Sequence, residues 1–195
     1  SLMRYGIAMM QIPHLAPCPP RGAIQGLSLH GAAIIGARYH LLNGVADMAE
    51  TLTLTLDTGD VVIKLRPDLA PGHVERISTL AGEGFYDGVV FHRVIPGFMA
   101  QGGDPTGTGM GGSKLPDIKA EFSREPHVRG VCSMARSSNP NSANSQFFIC
   151  FDDATFLDGQ YTVWGEVTSG MEHVDALPKG EPPAKPGKIV KAMVA

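Results

Sequence analysis

The chain has 195 residues, 43% hydrophobic and 18% charged, with 24 Gly and 15 Pro; this is ample apolar material for one core, and the Gly and Pro excess argues against a helix bundle. A formal charge of −3 argues against a general nucleic-acid binder, and no apolar run approaches the ~20 residues of a membrane-crossing helix. The three cysteines, Cys18, Cys132 and Cys150, are odd in number and widely spaced with no CxxC pair, so neither a disulfide framework nor structural zinc is expected and a reducing compartment fits.

Residues 1–47 stand apart. They hold four prolines but only Arg4, Arg21, Arg38 and Asp47 as charges, a net +2 that leaves −5 on residues 48–195. No helical or alternating period persists through them. Arg4 precedes only the short apolar run 7–12, which Pro13 ends, so a secretory leader is not expected. The location expected is the cytoplasm, with the periplasm as the alternative. Met48-Ala49-Glu50, just ahead of a clean strand pattern, has the look of a natural start. Residues 1–47 are therefore read as an upstream or vector-derived extension outside the core, and 48–195 as the domain.

From residue 51 the pattern is β. Thr51-Leu52-Thr53-Leu54-Thr55-Leu56 alternates with period two, 57–60 make a turn, and 61–65 resume, which predicts a hairpin. Pro71 opens a periodic stretch through Val74, Ile77 and Leu80, and Gly82 and Gly84 close it, predicting a helix of about three turns. Short strands are expected over 88–93, 98–101, 130–135, 146–150 and 162–167, a second helix from near Gly170 to before Pro178, and a last strand over 188–194. Many short strands with two helices predict a closed antiparallel β-barrel capped by the helices.

The segment FHRVIPGFMAQGGD at 91–104 concentrates the chemistry. If 98–101 is a strand, Phe98 and Ala100 face one side and Met99 and Gln101 the other. With Gln146-Phe147-Phe148-Ile149 and Phe156-Leu157 as further walls, this predicts an apolar pocket rimmed by Arg93, Gln101 and Gln146.

These blocks, together with Ser133-Met134-Ala135 and Phe156-Leu157-Asp158-Gly159, resemble the cyclophilin family of peptidyl-prolyl cis–trans isomerases in both order and spacing, over residues 50–195. The resemblance implies a closed eight-stranded antiparallel β-barrel with a helix over each end, and isomerisation of Xaa-Pro bonds in proline-containing peptides and unfolded proteins. Rotation about a bond calls for no cofactor or metal, the charge and hydropathy set aside nucleic acid and membrane as partners, and a monomer is the default expectation. Arg93 matches the catalytic arginine. Phe98, Met99, Phe148 and Leu157 match the walls of the proline pocket, Gln101, Ala135 and Gln146 the groups that hold the peptide backbone, and His92 a neighbouring, orienting histidine.

Three positions depart from many relatives. Phe156 stands where Trp is common, and Tyr161 where His is frequent. Phe156 keeps the apolar wall but lacks an indole N–H, so activity is expected to survive and cyclosporin binding to weaken. Arg136 replaces a common Asn. The alternative function is a cyclophilin-like module that grips Xaa-Pro segments with little turnover; such a module could dispense with Arg93, which this chain keeps.

Three features read as decoys. Residues 107–112 satisfy GxGxxG, but Pro116 soon follows where a nucleotide-binding helix would have to run. Ser145 lacks a GxSxG elbow, and His92 lacks an evident acid partner. Cys132 and Cys150 lie in apolar strands and read as inert core thiols.

Overall fold

The leucines of strand β1 (Thr51–Leu56) are buried and its threonines are not, as period-two alternation requires of a strand with one face on a core. The computed structural model describes residues 50–195; the reading of 1–47 as an extension lies outside the described residues. β1 turns back into β2 (Gly59–Leu65), completing the expected hairpin. Helix α1 (Pro71–Gly82) follows, then β3 (Arg93–Ile95), β4 (Met99–Gly102), β5 (Val131–Met134) and β6 (Phe147–Cys150). A single 3-10 turn (Thr155–Leu157), β7 (Val163–Ser169), α2 (Met171–Asp175) and β8 (Ile189–Val194) complete the chain.

All eight strands are antiparallel in one curled sheet of order β3-β4-β6-β5-β7-β2-β1-β8. The concave side holds the main core, with Leu52, Leu54, Ile63, Phe91, Phe147, Ile149 and Trp164 among its buried members. The chain's single Trp sits here, edge-on to Phe147 with ring centroids 5.7 Å apart. Helix α1 buries Val74, Ile77 and Leu80 on one stripe against β7 and β8, and α2 lies against β2.

The sheet is open, which corrects the expected closed barrel. β3 and β8 are its edges and no ladder joins them. The seam is crossed by isolated bridges, Val90 to Lys188 and Val94 to Gly180, and by a few backbone bonds between 88–91 and 187–189, short of a ladder. The segment ahead of β8 carries Pro182, Pro183 and Pro186, which have no N–H to offer a ladder. The strand expected over 88–93 is likewise reduced to the bridge at Val90, and β3 begins only at Arg93.

The N-terminus of α1 is stabilised from a distance. Ala70 at the N-cap offers no side-chain acceptor. Glu121 supplies it instead, accepting from the backbone N–H of Gly72 (3.1 Å) and His73 (2.9 Å) and from His73 Nδ1 (2.6 Å).

Candidate active site

One row of residues crosses the sheet in register. Arg93 on β3 is paired with Gln101 on β4, Gln101 with Phe148 on β6, and Phe148 with Ser133 on β5. Paired residues in antiparallel strands project to the same face, so the sheet sets the guanidinium, an amide and an aromatic ring side by side. The next residues along, Val94, Ala100 and Ile149, belong to the main core on the other face.

Beside this row lies a second apolar cluster: Met99, Phe148, Cys150, Ala154 and Leu157, with Ile95, Phe98, Ala135 and Tyr161 packed against it. The predicted pocket residues thus converge. One detail is corrected: Phe98 does not share a face with Ala100, because β4 starts at Met99 and Phe98 belongs to the preceding turn. That turn rests on Gly97 at φ +68°, a left-handed conformation that a Cβ would strain. From it Phe98 reaches the ring of Phe156 at a centroid distance of 5.5 Å. Phe156 itself is 65% exposed and forms an outer wall, while Leu157 is buried within the cluster. Tyr161 meets Phe148 edge-on at 5.7 Å, and the Arg136 guanidinium lies over the outer face of Tyr161 at 4.5 Å, donating to the carbonyl of Gln160. Arg136 therefore buttresses the pocket wall.

The polar rim is internally tied. Gln101 Nε2 donates to Gln146 Oε1 at 3.0 Å, and Gln146 Nε2 donates to the carbonyls of Gly109 (3.0 Å) and Gly111 (2.8 Å). The Ala135 N–H donates to the Gln146 carbonyl at 2.9 Å. The glycine loop of 107–112 is thus the strap that fixes Gln146, and no helix follows it. Asp104 ties the loop in turn, accepting from the N–H groups of Thr106, Gly109 and Gly111 and from the Thr106 hydroxyl. Burial alone would push the Asp104 carboxyl up, but the Thr106 bonds and the two glycine N–H groups outweigh it and hold it at about 2. His92 lies under this loop, buried, its ring close beside Gly109; burial lowers its pKa, against the pull of Asp104, so the ring is neutral. His92 supports the loop from below.

Sequence reading did not single out His127. It is fully buried, bonded at Nδ1 to Asp158 Oδ1 (2.9 Å) and at Nε2 to Ser133 Oγ (3.0 Å), and stacked under Phe148 with centroids 6.2 Å apart. The set has the order of a hydrolytic Ser–His–Asp triad, but Ser133 is fully buried and within bonding distance of the Thr162 carbonyl, so no substrate carbonyl reaches it. It is the pocket's foundation. Ser145 is likewise buried, donating to the Gly103 carbonyl. Cys150 forms part of the pocket floor, where burial pushes its thiol up to about 12.

A planar cation beside a shallow, aromatic-walled apolar cluster, with a tethered amide between them, suits an extended polypeptide. Comparison with known proteins decides the family. Residues 51–194 match the family model for cyclophilin-type peptidyl-prolyl cis-trans isomerases. The chain belongs to that family. A probable peptidyl-prolyl cis-trans isomerase from Brucella suis is 55% identical over 165 residues, 76% of this chain and 84% of that protein. Peptidyl-prolyl cis-trans isomerase B of Bacillus subtilis is 45% identical over 127 residues, 64% of this chain and 87% of that protein. Among solved structures, a cyclophilin from Hirschia baltica is similar with a TM-score of 0.70 and 31% identity, covering 75% of this chain and 74% of that one. A Cryptosporidium parvum cyclophilin-type isomerase, crystallised in the presence of the dipeptide Ala-Pro, also has a TM-score of 0.70, at 30% identity over 74% of this chain and 98% of that one. The chain is thus a prolyl isomerase of the cyclophilin type, and the row from Arg93 to Phe148 lies within the matched region.

Proposed function

We propose that this isomerase turns Xaa-Pro bonds in the groove of Phe98, Met99, Phe148 and Leu157, with Arg93 as its catalytic residue. The observation that carries the reading is the register that sets Arg93, Gln101 and Phe148 in one row beside the second apolar cluster.

The chemistry starts from the amide. Resonance holds the peptide bond planar against a barrier of ~18–20 kcal/mol. For Xaa-Pro both isomers are accessible, yet exchange takes tens of seconds or longer. Twisting the bond returns the lone pair to the prolyl nitrogen, which then accepts a hydrogen bond that it cannot accept when planar. A guanidinium N–H from Arg93 meets that need only in the twisted state, which is differential binding of the transition state. The apolar walls hold the proline ring while the preceding carbonyl swings, and Gln101 steadies the flanking backbone. No covalent bond breaks, so no nucleophile, metal or cofactor is called on.

The substrates we propose are proline-containing peptides and unfolded proteins, in keeping with a groove that reads the proline ring and little else. Cyclosporin is a weak ligand in this reading, because Phe156 lacks an indole N–H. The two buried free cysteines of the described residues fit a reducing compartment, so we place the protein in the cytoplasm, acting as a monomer.

The test is Arg93→Ala, assayed on an Ala-Pro peptide with the fold checked by circular dichroism. At least a tenfold loss of turnover is expected. Unchanged turnover would overturn the role of Arg93, and retained peptide binding with no turnover in the parent would favour a binding module.

A further inference from the structure

The segment between α2 and β8 is built onto the edge of β3 beside Arg93. The Gly180 N–H donates to the Val94 carbonyl at 2.9 Å, and the Val94 N–H returns a bond to the Gly180 carbonyl at 2.8 Å. Gly180 has φ +149°, and a Cβ there would come within 2.6 Å of Pro183 Cα, so only glycine fits the turn. Lys179, one residue earlier, is held by the carbonyls of Asp175 and Leu177 and lies over the Phe151 ring at 4.5 Å. Pro182, Pro183 and Pro186 stiffen the chain between Glu181 and β8. The residue carried to the groove by this frame is Glu181, whose Oε1 accepts from Arg93 Nε at 3.2 Å.

The geometry points to Glu181 as the positioning residue of the active-site arginine. A guanidinium carries five N–H donors in a rigid fork on a flexible stem. Glu181 takes the Nε–H, and among the described residues no protein acceptor takes the N–H groups of the two terminal nitrogens. The carboxylate thus fixes the plane of the fork and leaves its outer donors for the prolyl nitrogen. The other groups that face Arg93 offer no competing charge: Gln101 opposite is bonded to Gln146, and the buried His92 beside it is neutral. Glu181 acts through Arg93, so this inference rests on the role proposed for Arg93.

The experiment measures peptide affinity and on-enzyme exchange separately, by NMR titration and exchange spectroscopy of an Ala-Pro peptide. The proteins are the parent, Glu181→Ala, Glu181→Gln, Arg93→Ala and the double Arg93→Ala/Glu181→Ala variant. Glu181→Ala is expected to slow on-enzyme exchange about threefold to tenfold, with peptide Kd within twofold and Tm unchanged. Glu181→Gln keeps an acceptor oxygen for Nε–H and is expected to retain at least half the parent rate. In the Arg93→Ala background, removing Glu181 should change nothing further, since a residue acting through another adds no separate effect. Exchange equal to or faster than the parent in Glu181→Ala, equal losses in the Ala and Gln variants, or a further loss in the double variant would each overturn the inference. A slow Arg93→Ala with an unaffected Glu181→Ala refutes this inference alone. A fast Arg93→Ala refutes the role of Arg93 itself.

Discussion

Gln146 holds Gln101: the Gln101 amide donates to Gln146 Oε1 at 3.0 Å, while both carbonyls that pin Gln146, those of Gly109 and Gly111, come from a loop clasped by Asp104. The amide beside Arg93 is therefore set by a chain of bonds that ends in a buried carboxylate. Gln146→Ala would free Gln101 and leave the two glycine carbonyls without that donor. We expect kcat/KM to fall about tenfold, comparable with Gln101→Ala. The double variant should lose much less than the product of the two, because residues in one network are not additive. Peptide kinetics on the three variants checks this, and fully multiplicative losses would show that the two amides act independently.

Arg93→Lys tests whether charge alone suffices. Lysine keeps the cation but lacks the planar fork, and it has no counterpart of the Nε–H that Glu181 accepts. Turnover is expected to fall at least fivefold, well toward that of Arg93→Ala, while Tm stays within about 2 °C because the side chain is half-buried at a sheet edge. Near-parental turnover in the lysine variant would reduce the role of Arg93 to its charge.

The site was legible in sequence where strand alternation governs it. Met99 and Gln101 face away from Ala100, as period two requires, and the apolar blocks of 146–149 and 156–157 do meet 98–101. It was not legible where turns and long-range bonds take over. Phe98 escapes the alternation because it sits in a turn, and the barrel stays open because prolines ahead of β8 deny it a ladder. His127 and Asp158 lie 31 residues apart and carry no local signal, as do Glu121 with α1 and Glu181 with Arg93. The GxGxxG stretch carried a false local signal. Its glycines serve the bonds to Asp104 and Gln146.

Phe156→Trp bears on the drug rather than the reaction. Phe156 is 65% exposed and touches the pocket through Phe98, so a larger ring fits without disturbing the core. Isomerisation is expected to stay within threefold. Cyclosporin affinity should rise about tenfold, the order of one added hydrogen bond of ~1 kcal/mol together with extra ring contact. Because Trp164 is buried in the main core, the exposed new indole gives a distinct fluorescence change on titration. Unchanged affinity would mean that another departure, such as Arg136 over Tyr161, limits the drug.

Acid stability should trace to the pair under α1. Burial lowers the pKa of His73 more than Glu121 raises it, so the ring is neutral and its Nδ1–H donates to Glu121. Burial works against ionisation of Glu121, but the bonds from His73 Nδ1 and from the Gly72 and His73 N–H groups prevail and hold its carboxyl below the usual range. Both groups bind protons more weakly folded than unfolded, so stability rises with pH through both titrations. Their contribution is complete above about pH 6.5, the unfolded value for histidine, and declines below it; the carboxyl adds a further loss below about pH 4.3. Glu121→Ala removes the helix cap and orphans a buried ring N–H, costing about 2–4 kcal/mol at pH 7. The variant should also show a steeper decline in urea stability between pH 7 and 4 than the parent, because without the carboxylate nothing offsets the burial that lowers the His73 pKa. Parallel parental and variant profiles would assign the acid sensitivity to other carboxylates, Asp104 first among them.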